Sequence, residues 1–214
     1  RTVRKWKYKE NAIGVKNLVD AMKFNNIKKL IYFSTQYVYI KKTGPYGSSK
    51  KECDKIVFES GLDYIIIRPN FVYGIDKEQY FYKLANFAKK TRIFPIIGST
   101  KKLQPINKDD LADITVYVID NIDNFKRGDI IDASGRDIVS FNDIANYIEK
   151  YINKKCVKIT VPLFLLKILK NFVPFDVDSL TGERVDKAGN VGINLELSHN
   201  IEEARTMYKQ GATY

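Results

Sequence analysis

Two short segments, KKLIYFS (28–34) and LDYIIIRP (62–69), are apolar without alternation, and each follows a stretch with helical spacing. A continuous apolar run of this length suits a strand covered on both faces, as in a parallel sheet. Ahead of the first run, ENAIGVKNLVDAMKFNN (10–26) sets Ile13, Val15, Leu18, Ala21 and Met22 on one stripe of a helix. Between the runs, YGSSKKECDKIVFES (46–60) is again helical and precedes Gly61, the residue type that ends helices in a left-handed conformation. Pro69 stops the second strand. Helices are predicted near Tyr80–Lys90 and Asp109–Asn121, a strand at GDIIDAS (128–134), and a helix over Phe141–Ile152 behind the N-cap candidate Ser140. Such alternation predicts an α/β sheet with helices on both faces.

Composition narrows the class. The 214 residues are 44% hydrophobic and 29% charged, enough to bury a globular core as one domain or a domain plus a small lobe. No apolar run reaches the roughly 18 residues of a membrane-spanning helix, and no signal-peptide pattern is present, so a cytoplasmic location is expected. Cys53, Cys156 and the single histidine, His199, are too few and too scattered for a disulfide framework or a metal site. The formal charge of +11 comes from dispersed lysines such as Lys28/Lys29, Lys41/Lys42 and Lys89/Lys90, which read as a solvated surface with some affinity for anions. The opening RTVRKWKYKE has no initiating Met and no preceding strand, and reads as the middle of a domain. Past Lys158, ITVPLFLLKILKNFVPF is the most apolar stretch and is expected to be a helix packed on a C-terminal lobe rather than one lying on a membrane.

A tyrosine four residues before a lysine occurs four times, at Tyr37/Lys41, Tyr46/Lys50, Tyr73/Lys77 and Tyr151/Lys155. Position separates them. The strand ending in FST delivers Thr35 to the C-terminal edge of a parallel sheet, where open α/β sheets hold ligands. Tyr46 starts the next helix, and Lys50 lies one turn on along the same face, where its ammonium would stabilise a tyrosinate and suit Tyr46 to proton transfer near neutral pH. The other three pairs lack that setting.

On these residues the chain resembles the NAD-dependent epimerase/dehydratase family, in the extended and atypical branches of the short-chain dehydrogenase/reductase superfamily. ENAIGVKNLVDAMKFNNIKKLIYFSTQYVY is similar to the family's helix, strand and Ser/Thr loop, and PYGSSK to its Tyr-Lys helix. IIIRPNFVYG and FPIIGSTKKLQPINKDDLAD resemble its following strand and its later substrate-side segment. The resemblance implies a partial Rossmann-type doubly wound parallel sheet (1–157) with substrate-side insertions, and a small C-terminal substrate lobe (158–214). It implies an NAD or NADP cofactor and hydride transfer on a nucleotide sugar or related polar substrate. Thr35 would polarise the substrate, Tyr46 exchange the proton, and Lys50 hold the nicotinamide ribose. Asn11, Ser34, Lys50, Pro69 and Phe71 would lie on the cofactor side, and Gln36, Asn70, Lys101 and Lys102 on the substrate side. No nucleic acid and no membrane span are expected, and a homodimer is the assembly to test for.

Departures from the pattern refine the expectation. The family's G-x-x-G-x-x-G phosphate loop is absent from these residues, which puts the main dinucleotide site upstream of them. Gln36 and Tyr37 stand where sugar dehydratases carry an acidic pair, which disfavours water elimination. Phe71, Leu103 and Asn107 replace an Asn, an Arg and a His usual in the epimerases. Two alternatives stay open at this point: a non-catalytic dinucleotide-binding accessory protein, and a basic interaction module resting on charge alone.

Overall fold

The computed structural model describes residues 3–41, 43–74, 80–97, 102–162 and 164–165. In chain order the first elements are α1 (Val3–Phe24), β1 (Lys29–Phe33), a 3-10 turn (Gln36–Tyr39), α2 (Pro45–Phe58), β2 (Asp63–Pro69) and β3 (Val72–Tyr73). Then come α3 (Tyr80–Thr91), β4 (Ile93–Ile97), β5 (Lys102–Leu103), β6 (Ile106–Asn107) and α4 (Lys108–Asp120). The last are a second 3-10 turn (Ile122–Asn124), β7 (Ile130–Ala133), β8 (Val139–Ser140), α5 (Phe141–Ile152) and β9 (Val157–Val161). Every helix and strand expected between residues 10 and 152 is present, with ends shifted by a few residues except for α1, which starts well before Glu10.

The chain divides into two compact units, one holding residues up to Pro69 with Thr115–Ala133, the other Asn70–Ile114 with the segment from Ser134. Unit one contains a three-stranded sheet in the order β1-β2-β7. Both pairings are parallel, with Ile31 opposite Ile65 and Arg68 opposite Asp132. The interior positions of β2, Ile65, Ile66 and Ile67, are all buried, as expected for a strand covered on both faces. β1 corrects that expectation: Leu30 and Tyr32 are buried but Phe33 is 40% exposed, because β2 takes the central place in this sheet and β1 lies at its edge. One core cluster joins Ala12, Val19 and Met22 of α1, Leu30 and Tyr32 of β1, Cys53 and Val57 of α2, and Ile66 of β2. The two helices therefore share one layer over β1 and β2.

The buried stripe of α1 corrects the expected one. It runs through Ala12, Val15, Val19 and Met22, whereas Ile13 and Leu18 are 59% and 48% exposed and Ala21 is also exposed. Two apolar stripes at helical spacing coexist in this segment. Val15 and Met22 belong to both stripes and face the core as expected, and the packed layer takes Ala12 and Val19 beside them rather than Ile13, Leu18 and Ala21.

Unit two pairs β4 with β9 and β3 with β6 in parallel, and β5 with β8 antiparallel. Most of the apolar C-terminal stretch expected to be a helix lies outside the described residues, although its first residues, through Val161, belong to β9. Among the described residues no helix is long and apolar enough to cross a membrane.

Gly135 sits where its backbone meets another segment of unit two. It accepts from Gln104 Nε2 at 2.8 Å, and a Cβ built on it would lie 1.8 Å from the carbonyl oxygen of Pro105. Backbone on the receiving side cannot rotate away. Gly135→Ala is therefore expected to destabilise the protein by about 1–3 kcal/mol, read from denaturant midpoints, with loss of the Gln104 bond.

The start of α5 carries a reciprocal cap. Ser140 Oγ accepts from the Asp143 N–H at 3.2 Å, and the Asp143 carboxylate accepts from the Ser140 N–H at 2.8 Å. The Ser140 hydroxyl and then its N–H hold the Asp143 carboxyl below the usual range. Near the other end, the Cys156 N–H donates to Glu149 at 2.7 Å and likewise lowers that carboxyl. Carboxyls depressed in the fold contribute stability above their ordinary pKa, and that stability is lost as pH falls through the folded value. The protection of α5 amides against exchange, corrected for the intrinsic rate at each pH, should accordingly fall as the pH drops below about 4. Glu149→Gln should remove part of that acid dependence.

Candidate active site

The Thr35 turn follows directly from the end of β1. The Ser34 N–H donates to the Ile67 carbonyl at 2.9 Å, carrying the β1–β2 pairing one residue past the strand. Thr35 then caps the 3-10 turn from an extended conformation (φ −163°, ψ 150°), and its Oγ1 accepts from the Tyr37 N–H at 3.3 Å. Accepting that bond leaves the Thr35 O–H as a donor for a second partner. Ser34, Thr35 and Gln36 are all buried at this sheet edge.

Pro45 at the first helical position and Gly44 at the cap start α2 immediately before Tyr46. A Cβ on Gly47 would fall 1.8 Å from Thr43 Oγ1, so the helix start packs tightly on the chain leading into it. The Tyr46 ring meets the Tyr37 ring edge-to-face, with centroids 6.1 Å apart. One turn on, Lys50 Nζ donates to the Phe33 carbonyl at 3.1 Å and stands 5.4 Å from the Tyr32 ring centroid. Thr35, Tyr46 and Lys50 are thus tied to one patch: Thr35 through Tyr37 to Tyr46, and Lys50 to the carbonyl two residues before Thr35.

The other three Tyr/Lys pairs differ in kind. Tyr37 lies in the 3-10 turn and Lys41 in the exposed bend after it, while Tyr73 is on β3 and Lys77 lies outside the described residues. Tyr151 lies in the last turn of α5, and Lys155, beyond the Asn153 cap, pairs with Glu149 at 3.4 Å. Among the four, only Tyr46 and Lys50 share a helix.

The remaining expected residues distribute between the units. In unit one, Asn11 is in the interior of α1, and its amide donates to Ser49 Oγ at 3.3 Å while Ser49 Oγ donates to the Tyr46 carbonyl at 2.8 Å. Pro69 ends β2 opposite Ala133. In unit two, Asn70 Oδ1 accepts from the Phe71 N–H at 2.7 Å, and the Phe71 ring packs edge-on against Phe81 at 5.0 Å. Lys102 is exposed on β5, and Lys101 lies outside the described residues.

Four residues of unit one escaped the sequence reading: Tyr39, Asp54, Arg68 and Asp132. Arg68 was visible as the one charge near the end of the apolar run YIIIRP, and Asp54 as the residue one turn beyond Lys50. Nothing in the sequence joined them.

The family model described as RmlD substrate binding domain matches residues 2–162. The chain belongs to this family. None of the curated proteins matches the chain. Solved structures similar to it include a UDP-glucuronic acid 4-epimerase from Bacillus cereus in complex with UDP-glucuronic acid and NAD, at 24% identity and TM-score 0.62, covering 71% of this chain and 54% of that one. A dTDP-4-dehydrorhamnose reductase from Bacillus anthracis in complex with NADP is 22% identical with TM-score 0.59, covering 71% and 57%. A dTDP-glucose 4,6-dehydratase from the same organism in complex with NAD is 21% identical with TM-score 0.60, covering 72% and 57%. These likenesses establish the partial Rossmann-type fold of this RmlD-family chain, which spans about half the length of the solved proteins it matches.

Proposed function

We propose that the protein is an NAD(P)-dependent epimerase or reductase acting on a nucleotide-linked sugar or a related polar substrate. The observation that carries this reading is the setting of Tyr46 and Lys50, which share one helix beside the Thr35 turn at the end of a parallel strand. The names of the solved relatives, an epimerase, a reductase and a dehydratase of nucleotide sugars, support the same class.

The residues of unit one fit the nicotinamide end of a dinucleotide. Lys50 offers an ammonium for ribose hydroxyls beside a carbonyl, and Thr35 a hydroxyl whose proton is available at the sheet edge. When bound, the nicotinamide supplies a hydride acceptor or donor. Thr35 donates a hydrogen bond to the reacting oxygen of the sugar, Tyr46 gives or takes the proton at that oxygen, and Lys50 stabilises the charge left on Tyr46. The turn after Thr35 carries Gln36 and Tyr37 rather than carboxylates, which favours oxidation, reduction or epimerisation over water elimination. In this reading residues 1–157 form the later part of the dinucleotide domain with substrate-side insertions, Gln36, Asn70, Lys101 and Lys102 serve the substrate side, Phe71 the cofactor side, and 158–214 form a small lobe.

The test is incubation of the full-length protein with a panel of UDP- and dTDP-sugars and NAD or NADP, with products read by NMR. An epimerised, oxidised or reduced sugar is the expected result. Stoichiometric dinucleotide binding with no product from any sugar would establish the accessory, non-catalytic reading instead.

A further inference from the structure

Behind the Thr35 turn, four side chains of unit one form a continuous set of hydrogen bonds. Arg68 donates through Nη2 to Asp54 Oδ2 at 2.8 Å and through Nη1 to the Tyr39 hydroxyl at 2.8 Å. The Tyr39 O–H in turn lies 3.0 and 2.9 Å from the two carboxylate oxygens of Asp132. Arg68, Asp54 and Asp132 are buried, and Tyr39 is half-buried. A guanidinium has donors only, so the sense is set: Arg68 donates to the phenol oxygen, and the phenol proton goes to Asp132. Burial, with the Asp132 charge adding to it, keeps Tyr39 protonated, its pKa raised despite Arg68.

The elements joined in this way are those that bear the site. Tyr39 closes the 3-10 turn that Thr35 opens. Asp54 stands on α2 one turn beyond Lys50 and two beyond Tyr46, on the same face. Arg68 and Asp132 lie opposite each other on β2 and β7.

We propose that Arg68 is a positioning residue for the Thr35–Tyr46–Lys50 site, its guanidinium fixing the Thr35 turn through Tyr39 and the Tyr46 helix through Asp54. What the site does rests on the function proposed above; that Arg68 orients it does not. The two arms of a guanidinium hold a rigid angle, so the turn and the helix are set relative to each other, which the point charge of a lysine ammonium cannot do. Apolar packing could supply comparable stability at this place, but without directional bonds.

Three variants test the idea in the full-length protein: Tyr39→Phe, which removes only the hydroxyl, Arg68→Lys, which keeps the charge, and Asp132→Asn, which keeps the volume. Each is read by steady-state kinetics, by dinucleotide affinity from calorimetry, and by the 19F resonance of a fluorotyrosine label at position 46. A kcat lower by roughly tenfold to a hundredfold is expected, with KM and dinucleotide affinity within about twofold and a displaced or doubled 19F signal. An unmoved signal in folded Tyr39→Phe and Arg68→Lys overturns the proposal, as does failure of all three variants to fold, which would assign the network to folding alone. If the unmodified protein turns over no nucleotide sugar, the function proposed above fails, while the 19F signal still decides the role of Arg68.

Discussion

Tyr46→Phe is expected to lower kcat by roughly 100- to 10,000-fold in the full-length protein, with KM little changed. The substitution keeps the ring, and with it the edge-to-face contact on Tyr37, so the fold around the site should persist. What disappears is the exchangeable proton one helical turn from the Lys50 ammonium. Tyr151→Phe is the matched control. It removes the hydroxyl from the pair at the end of α5, where Lys155 is engaged with Glu149, and should change kcat by less than about twofold. Equal losses in the two variants, followed by nicotinamide absorbance with the sugar found in the product screen, would remove Tyr46 from the mechanism.

Asp54→Ala should be strongly destabilising, costing about 3–5 kcal/mol by thermal or denaturant unfolding. Its carboxylate meets Arg68 at 2.8 Å with both side chains under 10% exposed, and without it the guanidinium stays buried and charged, because arginine does not deprotonate. Arg68→Met should cost less. Burial already pushes the Asp54 carboxyl above the usual range against the pull of Arg68, so without the arginine it can take up a proton and become neutral. The pH dependence then has a definite sign. A carboxyl whose folded pKa is raised contributes stability that is complete below its ordinary pKa and is lost as pH rises through the folded value. The cost of Arg68→Met, measured against the unsubstituted protein at the same pH, should therefore be smaller near pH 4 than near pH 8. An equal cost at both would show that Asp54 stays ionised without its partner.

Local pattern carried the element order. Continuous apolar runs gave β1 and β2, helical spacing gave α2 and α5, and Ser140 marked the start of α5, because each of these signals depends on neighbours within a turn or a strand. The same locality singled out Tyr46 and Lys50, whose shared helix follows from Pro45, and Thr35, which follows from the end of the apolar run. Three things were not legible in the order of residues. The phase of α1 went to Ala12, Val15, Val19 and Met22, since two stripes of comparable hydropathy compete and only the shape of the facing layer chooses between them. The division into two units cuts the chain at Pro69 and interleaves distant segments, and no composition shift marks the joints. The Asp54–Arg68–Tyr39–Asp132 network draws on residues up to 93 apart in sequence, so its partners became identifiable only once parallel pairing had set Arg68 opposite Asp132 and α2 had packed beside the sheet. A buried charge selects its partner by direction and distance in space, and sequence spacing encodes neither across separate elements.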